Sequence, residues 1–212
     1  EGLNTTPDAL ELHRWFARFR DQGAAAAAME VSSIGLDQGR VNGAHFDVAI
    51  FTNLSRDHLD YHGTMEAYAE AKARLFERPE LAACVINIDD PWGLALARRL
   101  VAEGRAVIAC TLYAANVDAV PGARVLRADR LQAAPAGLRF ALVWEGREAE
   151  VSVRMVAHFN VSNLIAVAGA LLARGVAFDE LPPVLGRLAP PQGRMQLVGG
   201  VCEPLVVIDY AH

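Results

Sequence analysis

Residues Cys84–Thr111 read CVINIDDPWGLALARRLVAEGRAVIACT, and this stretch decides the fold. Cys84–Ile88 is a short apolar run with strand character, Pro91–Glu103 repeats its apolar residues at helical spacing, and Ala106–Thr111 is a second short apolar run. A strand, a helix and a strand in close succession imply a parallel pair with its crossover helix, and hence a sheet covered on its faces. The same alternation extends upstream. Val48–Leu54 reads as a strand and Thr64–Phe76 as a helix. Ala24–Val31 reads as a buried strand. Pro7–Arg20 reads as a helix with Leu10, Leu12, Trp15, Phe16 and Phe19 at helical spacing, Thr6 as its N-cap and Pro7 in its first turn.

Downstream of Pro121 the pattern changes. Arg124–Ala128, Leu138–Trp144 and Glu148–Val156 read as short antiparallel strands, with Gly137 and Gly146 at turns. Helical spacing returns over Val161–Arg174, with Asn160 as the N-cap candidate and Gly175 just past the end. A shorter helix around Glu180–Leu188 has Pro182 and Pro183 near its start, and Leu205–Ile208 is a last strand-like run. The expectation is an α/β fold with a mostly parallel sheet flanked by helices. Residues 1–120 form its core, 121–156 a small antiparallel β excursion, and 157–212 the helices and final strand that complete the core.

Composition narrows the class. Hydrophobic residues are 53% of the 212 and charged residues 21%, which excludes a disordered chain. Twenty Lys and Arg against 25 Asp and Glu leave a net charge of -5, so no basic excess is available to neutralise nucleic-acid phosphates. Cys84, Cys110 and Cys202 form neither a metal spacing nor an even disulfide set, which fits a reducing, cytoplasmic setting. No apolar run reaches membrane-spanning length, no leader opens the chain, and both ends read as cuts within something longer.

Ligands of open parallel sheets bind beyond the carboxyl ends of the strands. Two polar clusters follow strand-like runs here: Met29-Glu30-Val31-Ser32-Ser33-Ile34-Gly35, and Thr52 through His62. Adjacent strands would bring Glu30 and His58 together, with Asp57 and Asp60 nearby, as ligands for a divalent metal. His58 alone reads equally as a loop histidine bonded to backbone. Mixed carboxylate and imidazole ligation suits Mg²⁺ or Mn²⁺ when phosphate oxygens complete the shell. Lys72 lies four residues from both Tyr68 and Phe76, on the apolar stripe of its helix. Such a lysine either extends its ammonium outward or stays inside, where desolvation lowers its pKa and leaves a reactive amine. A neutral amine beside a metal site can take up carbon dioxide as a carbamate.

Weaker signals follow. Asn160 and Asn163 either cap a helix or reach a base or sugar. Arg194, in Gly193-Arg194-Met195, reads by default as a solvated charge, and Asp209-Tyr210-Ala211-His212 follows the last strand. No G-x-x-x-x-G-K-[ST] loop and no G-x-G-x-x-G occurs, and Ser32 and Ser33 lack a nucleophile-elbow context.

Together these strings resemble the Mur ligase family, the ATP-dependent amide-forming enzymes of peptidoglycan synthesis, in the branch of UDP-N-acetylmuramoyl-tripeptide synthetases. The resemblance rests on Asn4-Thr5-Thr6-Pro7, Met29-Glu30-Val31-Ser32-Ser33, Gln38-Gly39-Arg40-Val41 and FTNLSRDHLDYHG from Phe51 to Gly63. It continues through Glu70-Ala71-Lys72, Asn87-Ile88-Asp89-Asp90, Phe159-Asn160-Val161-Ser162-Asn163-Leu164, Gly193-Arg194-Met195 and Asp209-Tyr210-Ala211-His212, in the family's order. It implies that the chain is most of a central ATP-binding domain. The family's phosphate loop would lie upstream of Glu1, and the uridine-binding and C-terminal domains would lie outside the chain.

The resemblance further implies Lys72 as a carbamylated lysine, and Glu30 and His58 as catalytic metal-site residues with it. It implies Asn4, Thr5, Thr6, Ser32, Gln38 and Arg40 as contacts for UDP-N-acetylmuramoyl-L-alanyl-D-glutamate, and Asn163, Arg194 and Asp209 as residues facing ATP. Mg²⁺ is the implied metal, and meso-diaminopimelate or L-lysine the implied second substrate. Neither nucleic acid nor membrane is an expected partner, and the 212-residue piece alone is expected to be inactive. A folylpolyglutamate-synthetase-like ligase and a non-catalytic binding module are the competing readings. Two positions depart from the pattern. Ile34 stands where histidine is common, and Ala157 stands where glycine is common, which matters if that backbone needs a positive φ.

Overall fold

The computed structural model describes residues 5–134, 137–199, 204 and 206–210. Contacts divide the chain into two compact units, one of residues 1–49 and 54–81 and the other of residues 50–53 and 82–212.

Among the described residues the first unit contains four helices, α1 (Ala9–Asp21), α2 (Ser33–Asp37), α3 (Leu59–His62) and α4 (Met65–Ala73). Its core joins Leu12 of α1, Leu36 of α2, Val41 and Ala44, with Phe16, Met29, Val31, Phe46 and Leu75 packed against them. The N-cap of α1 is Asp8, whose carboxylate accepts from Glu11 N at 2.9 Å. Thr6 was the expected cap, but its hydroxyl is held by residues 30–32 instead. The expected strand over Ala24–Val31 does not form. Residues 24–28 are exposed and irregular, and no described strand pairs with them. Five consecutive alanines offer no side chain to pack on a pleated surface, so only Met29 and Val31 anchor the segment. Thr64 caps α4, its side chain accepting from Ala67 N, so the helix expected over Thr64–Phe76 is present with a shorter end.

The second unit is built on a six-stranded sheet in the order β1 (Val48–Phe51), β2 (Ala83–Asn87), β3 (Val107–Thr111), β4 (Arg124–Ala134), β5 (Gly137–Trp144) and β6 (Arg147–Val153). The contact boundary falls inside β1, after Ala49. Val85 pairs with Ile108 and Cys110 with Leu126 in parallel ladders, while β4, β5 and β6 are antiparallel, with Phe140 opposite Val151. The antiparallel strands therefore continue the parallel sheet, because β4 lies parallel to β3, instead of forming a sheet of their own. Helix α5 (Pro91–Ala102) connects β2 to β3. Helix α6 (His158–Ala173) packs on β2, β3 and β4, burying Val161, Leu164, Ile165 and Ala168, and α7 (Leu181–Leu185) packs on β6.

Two further expectations change. Residues 206–208 (β8) pair antiparallel with β7 (Gln196–Val198) and do not enter the six-stranded sheet; all three are exposed. The hairpin satisfies their ladder locally, so this strand does not complete the core. Nor does Asn160 cap α6. It lies one turn inside, its Nδ2 donating to Val156 O at 2.6 Å, and the N-cap is Ala157 with φ 69° and ψ 135°. That backbone region belongs almost entirely to glycine and costs a side chain about 1–3 kcal/mol. Glycine at 157 would remove the strain but gain about 0.5–1 kcal/mol of unfolded-chain entropy. Ala157→Gly is therefore expected to stabilise the protein by about 1 kcal/mol, read as a higher urea midpoint at unchanged slope.

Candidate active site

In the first unit the chemistry gathers around Tyr68 of α4, a nearly fully buried ring. Lys72, one turn further on, places Nζ 5.3 Å from the Tyr68 centroid. His58 meets the same ring edge-on at 5.8 Å, and His62 stacks against it at 5.2 Å. Burial pushes the Lys72 amine below its ordinary range, opposed by the nearby carboxylates of Glu30 and Asp57. Lys72 is half-buried, on the stripe its spacing predicted. Burial likewise raises the Tyr68 phenol and lowers the His62 imidazole.

His58 occupies a left-handed conformation, φ 52° and ψ 25°, at the start of α3. Its backbone N donates to Asp57 Oδ1 at 2.8 Å, and its Nε2 lies 3.7 Å from Asp57 Oδ2. A side-chain-bearing residue at positive φ is uncommon, and histidine is among the types that tolerate it. Expectation placed Glu30 beside His58 through two neighbouring strands. The structure brings both to the Tyr68 neighbourhood without that strand pair. Among the described residues no group of three His, Cys, Asp or Glu is disposed to hold a metal by itself. Glu30, His58 and an anionic form of Lys72 would make a mixed oxygen and nitrogen donor set of the kind that suits Mg²⁺ when phosphate oxygens supply the remaining ligands. A carbamate beside Glu30 and Asp57 would crowd three negative charges, and a divalent cation is what makes such a cluster stable.

The expected substrate contacts divide. Asn4 lies outside the described residues, and Thr5 is exposed. Thr6 is fully buried and its hydroxyl is committed: it donates to Glu30 O and accepts from Ser32 N at 2.8 Å, fixing the segment that carries Glu30. Ser32 caps α2, accepting from Gly35 N. The other end of α2 closes in a Schellman motif. Gly39 N bonds Leu36 O and Arg40 N bonds Gly35 O, with Gly39 at φ 68°. This turn folds Arg40 back onto Gln38, whose Oε1 accepts from Arg40 Nε at 2.9 Å and Nη2 at 2.6 Å. Arg40 Nη1 donates to Thr6 O at 2.8 Å. Thr6, Ser32, Gln38 and Arg40, far apart in sequence, are thus one hydrogen-bonded group.

In the second unit a cleft of about 240 Å³ is lined by Thr52, Asn53, Asn87, Phe159, Ser162 and Asn163. It sits beyond the carboxyl ends of β1 and β2, against the first turns of α6, where the strand-end rule locates ligands. Asn87 Nδ2 donates to Thr52 O at 2.7 Å and its Oδ1 accepts from Asp89 N at 3.1 Å, so this amide braces the cleft wall. Asp89 in turn accepts from Thr111 Oγ1, from Leu112 N at 2.7 Å and from Asn116 Nδ2 at 2.8 Å, locking the ends of β2 and β3 together. Phe159 is more than half exposed at the cleft, a flat apolar face suited to a heterocyclic base. Asn163, read from the resemblance as facing ATP, is in the lining. Arg194 and Asp209 are not: they lie together on the β7–β8 hairpin, where Asp209 Oδ2 accepts from Met195 N at 2.9 Å and Arg194 is exposed. Reading the sequence alone missed Thr52, Asn53, Asn87, Phe159 and Ser162 as a lining set, although each lies in a strand-end or helix-start string that was noticed.

Comparison with known proteins identifies the family. The family profile described as the Mur ligase middle domain matches residues 1–171. The chain belongs to the Mur ligase family. Among curated Mur ligases, the UDP-N-acetylmuramoyl-L-alanyl-D-glutamate--2,6-diaminopimelate ligase of Janthinobacterium sp. (strain Marseille) is 46% identical over 208 residues, covering 98% of this chain and 41% of the relative. The ligase of the same name from Xylella fastidiosa (strain 9a5c) is 48% identical over 209 residues, again covering 98% and 41%. A solved structure of a ligase with that name superposes with a TM-score of 0.83 at 39% identity, over 98% of this chain and 41% of the other. The chain thus spans about two fifths of the length of the Mur ligases it matches.

Proposed function

We propose that the full-length protein containing this chain is an ATP-dependent Mur ligase joining 2,6-diaminopimelate to UDP-N-acetylmuramoyl-L-alanyl-D-glutamate. The observation that carries the reading is Lys72, a half-buried lysine whose Nζ lies 5.3 Å from the Tyr68 centroid, its amine pushed toward the neutral form by burial near Glu30 and Asp57. The relatives are named as 2,6-diaminopimelate ligases, which favours diaminopimelate over lysine as the added amino acid.

In this reading ATP phosphorylates the terminal carboxylate of the dipeptide, giving an acyl phosphate and ADP. The diamino acid's amine then attacks the acyl carbon and inorganic phosphate leaves. Glu30, His58 and the carbamate of Lys72 would hold Mg²⁺, which supplies positive charge to the transferring phosphoryl oxygens when bound. The chain's own residues do the rest. Thr6 fixes the backbone that carries Glu30, and Tyr68 presents one ring to both His58 and Lys72. Gln38 and Arg40 hold the acyl substrate in line, the term that contributes most when little covalent work falls to the protein. The cleft at Asn163 and Phe159 takes the nucleotide base. Location in the cytoplasm fits these substrates, and no helix among the described residues is long and apolar enough to cross a membrane.

Phosphate release by the full-length protein tests the reading, with Mg-ATP, the UDP-linked dipeptide, and either diaminopimelate, lysine or no amino acid. Release that depends on diaminopimelate supports it. Release with lysine alone would reassign the second substrate, and no release with either would overturn the ligase.

A further inference from the structure

Asp37 and Tyr61 belong to neither the metal-site group nor the cleft, yet both are wired into the group around Arg40. The Gln38 amide has two orientations of equal shape, and its hydrogen bonds decide between them. Two N–H groups of Arg40 point at the same atom, at 2.9 and 2.6 Å, which fixes that atom as Oε1 and turns Nε2 toward Tyr61 Oη at 3.5 Å. Tyr61 can accept there because its own proton goes to Asp37 Oδ2 at 2.8 Å. Asp37 Oδ1 accepts from Arg74 Nη1, also at 2.8 Å, and these two bonds hold the Asp37 carboxyl below its ordinary range. The wire thus runs from Arg74, at the C-cap of α4, through Asp37 and Tyr61 to Gln38 and Arg40.

Its two ends differ in charge. Arg74 is paired with Asp37. Among the described residues Arg40 bonds neutral oxygens, those of Gln38 and Thr6, through three of the five N–H groups a guanidinium carries. A guanidinium held on two sides by neutral acceptors is oriented without being neutralised, which is the state that recognises an anionic oxygen.

We infer that Asp37 and Tyr61 are positioning residues that set the Gln38 amide, and through it the Arg40 guanidinium, for binding of the acyl substrate. The inference rests on the reading of Gln38 and Arg40 as substrate contacts. Tyr61 is partly exposed and stands outside the hydrophobic core, so removal of its hydroxyl releases the amide while the ring keeps its place.

The test uses the full-length ligase with each of its three substrates varied in turn. Tyr61→Phe and Asp37→Asn are expected to raise KM for the UDP-linked dipeptide by about threefold to tenfold, the cost of ordering one rotamer-rich side chain on binding. The values of KM for ATP and for the amino acid, and kcat at saturation, stay as in the parent. In a Gln38→Ala background Tyr61→Phe has no further effect, since the group it orients is gone. Should Asp37→Asn fail to fold after losing the Arg74 pair, Tyr61→Phe carries the test alone. If Gln38→Ala and Arg40→Ala leave the dipeptide KM unchanged, the substrate-contact reading falls and the inference with it. If those two raise it while Tyr61→Phe does not, the inference alone is overturned. A uniform change in all three KM values, or a fall in kcat, would show a general structural role and also overturn it.

Discussion

Lys72→Ala is expected to lower turnover of the full-length ligase by about 10³-fold or more, with partial recovery on adding short carboxylic acids. The size follows from the proposed role: loss of one preorganised charged group at a transferring phosphoryl costs about 10²–10³ in rate, and on that reading the metal would lose a ligand too. Recovery by a small carboxylate separates this from a folding defect, because the added acid replaces the carbamate's oxygens and not the lysine's packing. Full activity in Lys72→Ala would remove the carbamate from the mechanism. A stability measurement gives an independent view of the same residue. Burial lowers the Lys72 amine from its ordinary 10.5, so the ammonium is penalised in the folded state relative to the unfolded one. That penalty is complete below the folded value and fades as pH rises from there to 10.5, because the unfolded chain binds more protons across that window. In bicarbonate-free buffer Lys72→Met should therefore be more stable than the parent near neutrality, by a margin that narrows as pH is raised. A variant that gains stability while losing activity marks a side chain kept for chemistry.

The fold was legible where side chains carry a pattern. Residues 84–111 announce β2, α5 and β3 because buried strands of apolar residues flank a helix opened by Asp90 and Pro91. Residues 24–28 announce nothing, since alanine fits helix, strand and coil alike, and the outcome depends on a strand partner. Thr6 was read as the cap of α1, and what takes its hydroxyl away is a carbonyl at residue 30 that only the folded chain brings to it, leaving the role to Asp8. Ala157 was marked by its departure from a glycine, and its backbone does take positive φ. The site divides the same way. Helical spacing put Lys72 on an apolar face, and the strand-end rule located residues 52–53. The roles of Tyr68, Asn87 and Tyr61 depend on rotamers meeting across separate elements, which spacing along one element does not encode.

Gly93→Ala is expected to destabilise the protein by about 3 kcal/mol, against the sign that helix propensity gives. Gly93 lies in the first turn of α5, where Asp90 accepts from both Trp92 N and Gly93 N, and alanine at a helical position is worth about 1 kcal/mol over glycine. A methyl group at 93 would lie 2.1 Å from the Asn87 carbonyl oxygen and 3.2 Å from Phe51 Cδ1. The oxygen belongs to the last residue of β2, and the neighbouring backbone is held by Ile88 N bonding Cys110 O and by the Asn87 side chain bonding Thr52 O. Neither partner can retreat without opening the β2–β3 ladder or the wall of the cleft at Phe159 and Asn163. Overpacking of this kind costs about 1–3 kcal/mol in a core that can relax, and backbone against backbone relaxes least. The same shift would disturb Asn87, so a raised KM for ATP should accompany the lower urea midpoint. Ala95→Gly, at an exposed position of the same helix, should cost only about 1 kcal/mol and leave that KM alone. A Gly93→Ala protein more stable than its parent would mean that α5 does not approach β2 this closely, and the bracing assigned to Asn87 would lose its structural ground.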